Sequence, residues 1–220
     1  MVPVVFLPYI KELLRWTGEG GFEARIRGKA PAVDAYVWLH ELVYSYAEEN
    51  YRGNYEPLVA AFLGRITKLH RYGAIPFVVF DGEELKGKKA NATRGARRNS
   101  ALKQLNEEYI AAVARGEDEG AIVAQFDENV LHAANAIKPE LVHAVISELR
   151  DSGVRYVVAP YEADAQIAQL WKEGLVDSCL TNDADLIIYG LPLVFFCTSR
   201  TWVNGACRYY SALELERAAE

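Results

Sequence analysis

Two tight pairs of carboxylates, each placed just past a short apolar run, make residues 157–190 the most constraining stretch of this sequence. Glu162 and Asp164 follow the run 155–159; Asp183 and Asp185 follow the run 178–180. Short apolar runs rich in β-branched residues read as buried strands, so both pairs sit where strands stop. In open α/β sheets ligands bind at that edge, outside the carboxyl ends of parallel strands. Asp183 and Asp185 are two residues apart, and an extended backbone would point both side chains to one face. Glu162 and Asp164 open a helix instead: Pro160 precedes it, AQIAQLW supplies its apolar stripe, and the positive end of the helix dipole favours acids there. Capping of the first helical turn is the plain alternative for that pair.

Two more strand-to-acid junctions lie upstream. Residues 30–33 read as a buried strand ending on Asp34, followed by a helix over 36–48. AIPFVVFDG reads as a buried parallel strand ending on Asp81, with Gly82 for the turn. Asp34, Asp81, Glu162, Asp164, Asp183 and Asp185 are thus candidate ligands at successive strand ends. Crowded carboxylates repel one another, so one of them takes up a proton or a hard cation settles among them. Oxygen donors without paired His or nearby Cys point to magnesium, with manganese able to substitute, rather than zinc.

With 220 residues and 51% apolar content the chain can bury a sizeable core, and residues 1–220 read as one globular domain. Its three cysteines are odd in number and lack metal-ligand spacing, and no signal peptide opens it, which points to a reduced intracellular protein. No apolar run approaches the roughly 20 residues of a membrane span. A net charge of -6 argues against a polyanionic partner, but its distribution matters more than its sum. Between Lys86 and Arg98 stand Lys88, Lys89, Arg94 and Arg97 and no acid at all. An acidic site with a separate basic patch suits a metal-dependent enzyme acting on a polyanion. Helical spacing recurs over 55–72, 100–114, 121–132, 139–152 and 211–220; 193–199 reads as a strand and 201–205 as a turn. Residues 3–16 read as an apolar entry and a short helix placing Leu13, Leu14 and Trp16 against the core.

APYEADAQIAQL, followed about twenty residues on by TNDADLIIYG, resembles the internal motif of the flap endonuclease, or XPG-type, family of structure-specific 5′ nucleases, and most of all its mismatch-repair 5′ exonuclease branch. The resemblance implies a PIN-like three-layer α/β fold: a central, mostly parallel sheet flanked by helices, with a helical arch inserted. It divides the chain into an N-terminal region over 1–100, an arch over 82–135 and an internal region over 136–220. Within that pattern Asp34, Asp81, Glu162 and Asp164 hold mainly one of two magnesium ions, and Asp183 and Asp185 mainly the other. Lys88 falls at the offset of the arch lysine; the arch arginine would fall on Gly95, which leaves Arg94 and Arg97 as candidates. Lys86, Lys89 and Arg98 would contact DNA backbone. Tyr36 and His40 match residues that meet DNA near the cut, against the plain reading of a core tyrosine and a surface histidine. The pattern is not met elsewhere either: the chain opens Met1-Val2-Pro3 where the family has Met-Gly-Ile, and these residues contain neither a helix-two turn-helix element nor the Gly-Cys-Asp motif.

The resemblance therefore implies a nuclear, monomeric, two-metal 5′ deoxyribonuclease, exonuclease or flap endonuclease, acting in DNA repair or replication on DNA with a free 5′ end, flap or nick. Two rivals share the fold. One is an inert nuclease-fold scaffold that binds nucleic acid or regulates RNA, whose mark would be loss of the acids; the other is a PIN-like RNase.

Overall fold

The structure is a computed structural model that describes residues 12–83 and 89–219. Its strands are β1 (Arg15–Trp16), β2 (Pro31–Asp34), β3 (Phe77–Phe80), β4 (Arg155–Val158), β5 (Ser178–Thr181), β6 (Leu193–Phe196) and β7 (Arg208–Ser211). The helices, in chain order, are α1 (Gly21–Ile26), α2 (Ala35–Ser45), α3 (Ala47–Arg52), α4 (Glu56–Arg71), α5 (Lys89–Ala114) and α6 (Glu119–Ala124). Beyond them come α7 (Glu128–Ala134), α8 (Pro139–Asp151), α9 (Ala163–Lys172), α10 (Asp185–Ile188), α11 (Ser199–Asn204) and α12 (Ala212–Ala219). The chain divides into two compact units, one of residues 1–38, 63–84 and 146–220, the other of residues 39–62 and 85–145.

The first unit holds the sheet, whose order is β1-β7-β6-β5-β2-β3-β4. β2 pairs in parallel with β3 on one side and β5 on the other, while β7 runs antiparallel to both β6 and β1. From β2 the chain steps outward to β3 and β4, then returns to lay down β5 and β6 on the other side. That reversal makes the gap between the carboxyl ends of β2 and β5 the topological switch point, where doubly wound sheets bind ligands. Asp34 ends the first of these strands and Thr181 the second.

Both faces of the sheet are covered by apolar packing. On one, Ile167 and Leu170 of α9 join Ala32, Val79, Cys179 and Val194 from four strands. Side chains alternate along a strand, so Phe195 points the other way, with Phe22 of α1 edge-on at 5.4 Å and Trp202 stacked edge-on to Trp38 at 5.0 Å. In the second unit Ala101 and Leu105 of α5 pack with Leu131 and Ala134 of α7 and Ala47 of α3.

Several sequence expectations are corrected. Trp16 is not a core residue of a helix: it lies in β1, paired with Arg208 and 58% exposed. A strand partner so distant in sequence leaves no local periodicity to read. The helix expected over 121–132 is two, because Asp127 caps a new start by accepting from the amides of Asn129 and Val130, each at 3.0 Å. The expected turn over 201–205 is helix α11, opened by a Thr198–Thr201 capping box and stopped by Gly205 at φ 69°.

Candidate metal centre at the sheet edge

Asp34 is 7% exposed and is held by three donors. Its Oδ1 accepts from the amides of Tyr36 at 3.1 Å and Val37 at 3.3 Å, which caps α2. The other oxygen accepts from the Thr181 hydroxyl at 3.1 Å. Burial pushes its pKa up to about 6, with the charge of Asp81 adding to the rise and the three hydrogen bonds opposing it.

Asp81 stands just beyond β3, and its Oδ1 accepts from the Ala163 amide at 2.6 Å. This amide opens α9, so Asp81 caps a helix that begins on the neighbouring strand. Glu162, the residue at the N-cap position itself, makes no side-chain cap. The capping alternative read from the sequence therefore belongs to Asp81 and not to Glu162.

The segments leaving β3 and β4 are zipped together by Gly82 N–H to Tyr161 O at 2.6 Å and Glu83 N–H to Pro160 O at 3.1 Å. A methyl group on Gly82 would lie 1.8 Å from the Ala159 carbonyl oxygen, so no side chain fits without moving backbone. Gly82→Ala is expected to cost about 3 kcal/mol of stability, at the upper end for overpacking. Gly64→Ala, with open space around the added carbon in the interior of α4, serves as control and should be neutral or stabilising by up to ~1 kcal/mol. Urea denaturation of the two variants checks this; equal midpoints would mean the close approach is not real.

Asp164, Asp183 and Asp185 each bring an oxygen to within 4.8 Å of the others. The last two do not share an extended strand, contrary to the sequence expectation. The Asp183 amide donates to Thr181 Oγ1 at 3.1 Å, the Asp185 amide donates to Asp183 Oδ1 at 3.1 Å, and Asp185 opens α10. Short polar side chains outcompete strand extension by bonding their own backbone. Burial first, and then the charges of Asp34, Asp183, Asp185 and Asp81 in that order, together lift the Asp164 pKa to about 7. Asp185 is raised by burial and then by Asp183, and Glu162 adds a smaller repulsion. Pairwise repulsions thus link all six acids, Asp164 to four of the others and Glu162 through Asp185.

Tyr36 is half-buried, and burial followed by the Asp81 charge raises its hydroxyl pKa, which puts it in the field of the cluster. His40 is exposed on α2, and Arg97 and Arg98 are exposed on α5. Lys86 and Lys88 lie outside the described residues; Lys89 and Arg94 are on the α5 backbone, with their side chains likewise outside the description. Thr181, which sequence reading passed over, is fully buried and joins Asp34 to the Asp183 turn through one hydroxyl. Its only signal was a hydroxyl closing an apolar strand just ahead of two acids.

Comparison with known proteins shows the family. Family models match twice: the XPG N-terminal domain over residues 22–102 and the XPG I-region over residues 153–217. Exodeoxyribonuclease 1 of Schizosaccharomyces pombe is 32% identical over 173 residues, 77% of this chain and 28% of that protein. Exonuclease 1 of Danio rerio is 36% identical over 175 residues, 77% of this chain and 20% of its own length. The chain therefore spans about a quarter of the length of these relatives. Among solved structures, the catalytic core of Rad2 in complex with DNA substrate superposes with a TM-score of 0.61 at 20% identity, covering 97% of this chain and 56% of that one, a likeness of fold. Asp34 and Asp81 fall in one matched region and the other four acids in the second; with both regions present, this chain belongs to the XPG-type family of 5′ nucleases.

Proposed function

We propose that this chain is the nuclease domain of a metal-dependent, structure-specific 5′ deoxyribonuclease acting in DNA repair. The observation that carries this reading is the convergence of Asp164, Asp183 and Asp185 within 4.8 Å at the switch point of the sheet. Carboxylates with pKa values lifted by one another are short of positive charge, and a donor set of oxygens without His or Cys fits hard divalent ions. Asp34, Asp81, Glu162, Asp164, Asp183 and Asp185 would hold magnesium, as two ions, with manganese a substitute. Bound there, it would lower the pKa of a coordinated water and neutralise charge building on the phosphate and the departing oxygen.

The chain's own groups supply the rest. Asp34 and Asp81 are fixed by the backbone amides they cap, so the carboxylates need little reorganisation on loading. Lys88, with Arg94 or Arg97, supplies positive charge to the scissile phosphate, and Lys86, Lys89 and Arg98 track the backbone. Tyr36 and His40 hold the frayed terminal base, the former by stacking worth about 1–3 kcal/mol. Relatives named exonuclease favour removal from a free 5′ end or nick over flap cutting. A monomer working in the nucleus completes the proposal; among the described residues no helix is long and apolar enough to cross a membrane.

The test compares 5′-labelled recessed-end and flap DNA with RNA of the same sequence, with magnesium and with chelator. Cleavage of DNA in magnesium alone is expected. Equal cleavage of RNA would replace this reading by an RNase, and binding without cleavage of either by a scaffold. Lys88→Ala is expected to slow cleavage about 10²-fold, the loss typical of one charge-stabilising group, while the half-saturating magnesium concentration stays at the parent value. Equal rates for variant and parent would return Lys88 to the solvated surface.

A further inference from the structure

The acid-bearing face of the sheet continues past the carboxylates as a row of directly opposed residues. Thr181 pairs across with Phe196, Phe196 with Arg208, and Arg208 with Trp16. Opposed residues on paired strands point to one face, and Thr181 begins the row with its hydroxyl on Asp34. At about 4.8 Å per strand, Arg208 stands about 10 Å and Trp16 about 14 Å from Thr181. Exposure grows outward: Thr181 is buried, Phe196 half-buried, Arg208 and Trp16 exposed. Where the row ends a cleft of about 490 Å³ opens, lined by Trp16, Phe196, Thr198, Cys207 and Arg208. This volume lies inside the range of about 300–1,000 Å³ typical of small-ligand sites.

Two features of the cleft are unlike ordinary surface. The cations of the neighbouring face are ion-paired, since Arg15 and Arg25 share Glu214, at 3.5 and 2.6 Å. Among the described residues no carboxylate lies within ion-pair distance of Arg208. Beside it, an edge strand that would ordinarily end in a polar residue presents the Trp16 ring to solvent, 58% exposed. A flat apolar face next to an uncompensated guanidinium suits a ligand that is itself a flat ring carrying an anion.

We propose that this cleft is a subsite for one nucleotide of a single-stranded segment, with its base stacked on Trp16 and its phosphate paired to Arg208. An unpaired base can leave its own stack to enter such a pocket without the cost of breaking a base pair. The choice of nucleic acid as ligand rests on the nuclease reading, whereas the preference for a flat anionic group does not.

Binding of a fluorescent single-stranded oligothymidylate, followed by anisotropy with calcium in place of magnesium, tests it on the full chain. Trp16→Ala is expected to weaken binding about fivefold to a hundredfold, the range for loss of one stacked base, and Trp16→Phe to recover most of it. Arg208→Gln should weaken binding and reduce the slope of log affinity against log salt by about 0.7, one phosphate contact on a single strand. Should Trp16→Ala prove unfolded by circular dichroism, Arg208→Gln at its exposed position decides. Parent affinity and parent salt slope in Arg208→Gln overturn the subsite, and if the parent still cleaves DNA the nuclease reading survives. Weakened binding in the variants alongside a parent that cleaves no DNA leaves the subsite standing and removes the nuclease.

Discussion

Asp183→Asn is expected to lower magnesium-dependent DNA cleavage by about 10³-fold, equivalent to ~4 kcal/mol of lost transition-state stabilisation at a metal site. This residue isolates charge from architecture better than any other acid of the cluster. Its Oδ1 accepts from the Asp185 amide, and an asparagine oxygen can accept the same bond, so the turn that brings Asp185 beside Asp164 is kept. What goes is one negative charge, and that charge is among the causes that raise both Asp164 and Asp185. The variant should therefore be more stable than the parent without metal at pH 8, and gain less from magnesium. Stability and cleavage move in opposite directions, which a variant that merely misfolds would not do. Cleavage retained by Asp183→Asn, or by the parent in excess chelator, would show that these acids do not hold the catalytic ion.

The acids were legible because strands announce themselves. A buried parallel strand is a short apolar run, and the residue that breaks it is at the sheet edge. The readings at Asp34 and Asp81 needed no more than that. How the acids are held was not legible, since each support spans the sequence: the Asp81 bond to the Ala163 amide joins residues 82 positions apart. Thr181 was overlooked for a related reason. A β-branched residue at the end of SCLT satisfies strand propensity, and nothing local marks its hydroxyl as shared between Asp34 and the Asp183 turn. Periodicity also misled directly at Asp183 and Asp185, where a rule for extended backbone was applied to a stretch whose Asx bonds favour a turn. At the other end of the sheet β1 and β7 depend on each other, and neither two-residue β1 nor the polar start of β7 carries an apolar signature of its own.

A pH dependence follows from the same crowding, and it carries the opposite sign to the common one for carboxylates. Asp34 and Asp164 titrate near 6 and 7 in the folded chain, against 3.8 for an unperturbed aspartate. Between those limits the folded state binds more protons than the unfolded state, so metal-free stability falls as pH rises. The contribution is whole below about pH 4 and is lost as pH climbs through 6 and then 7, on the order of 3 kcal/mol in all after allowing for the coupling of the two groups. Glu214 works the other way, its pKa lowered by Tyr209 and the two arginines against its burial, so that its contribution fades below the ordinary glutamate range. Metal-free melting temperature is accordingly expected to peak between about pH 4 and 5 and to decline towards pH 8. Magnesium competes with the protons for the same oxygens. At a hundredfold excess over its dissociation constant it should restore about 2.7 kcal/mol at pH 8 and close to nothing at pH 5, where Asp34 and Asp164 are protonated. Thermal melts at the two pH values, with and without magnesium, read this directly. A magnesium shift of the same size at both would mean that the ion is not held by the buried aspartates, and the metal centre would have to be sought elsewhere on the chain.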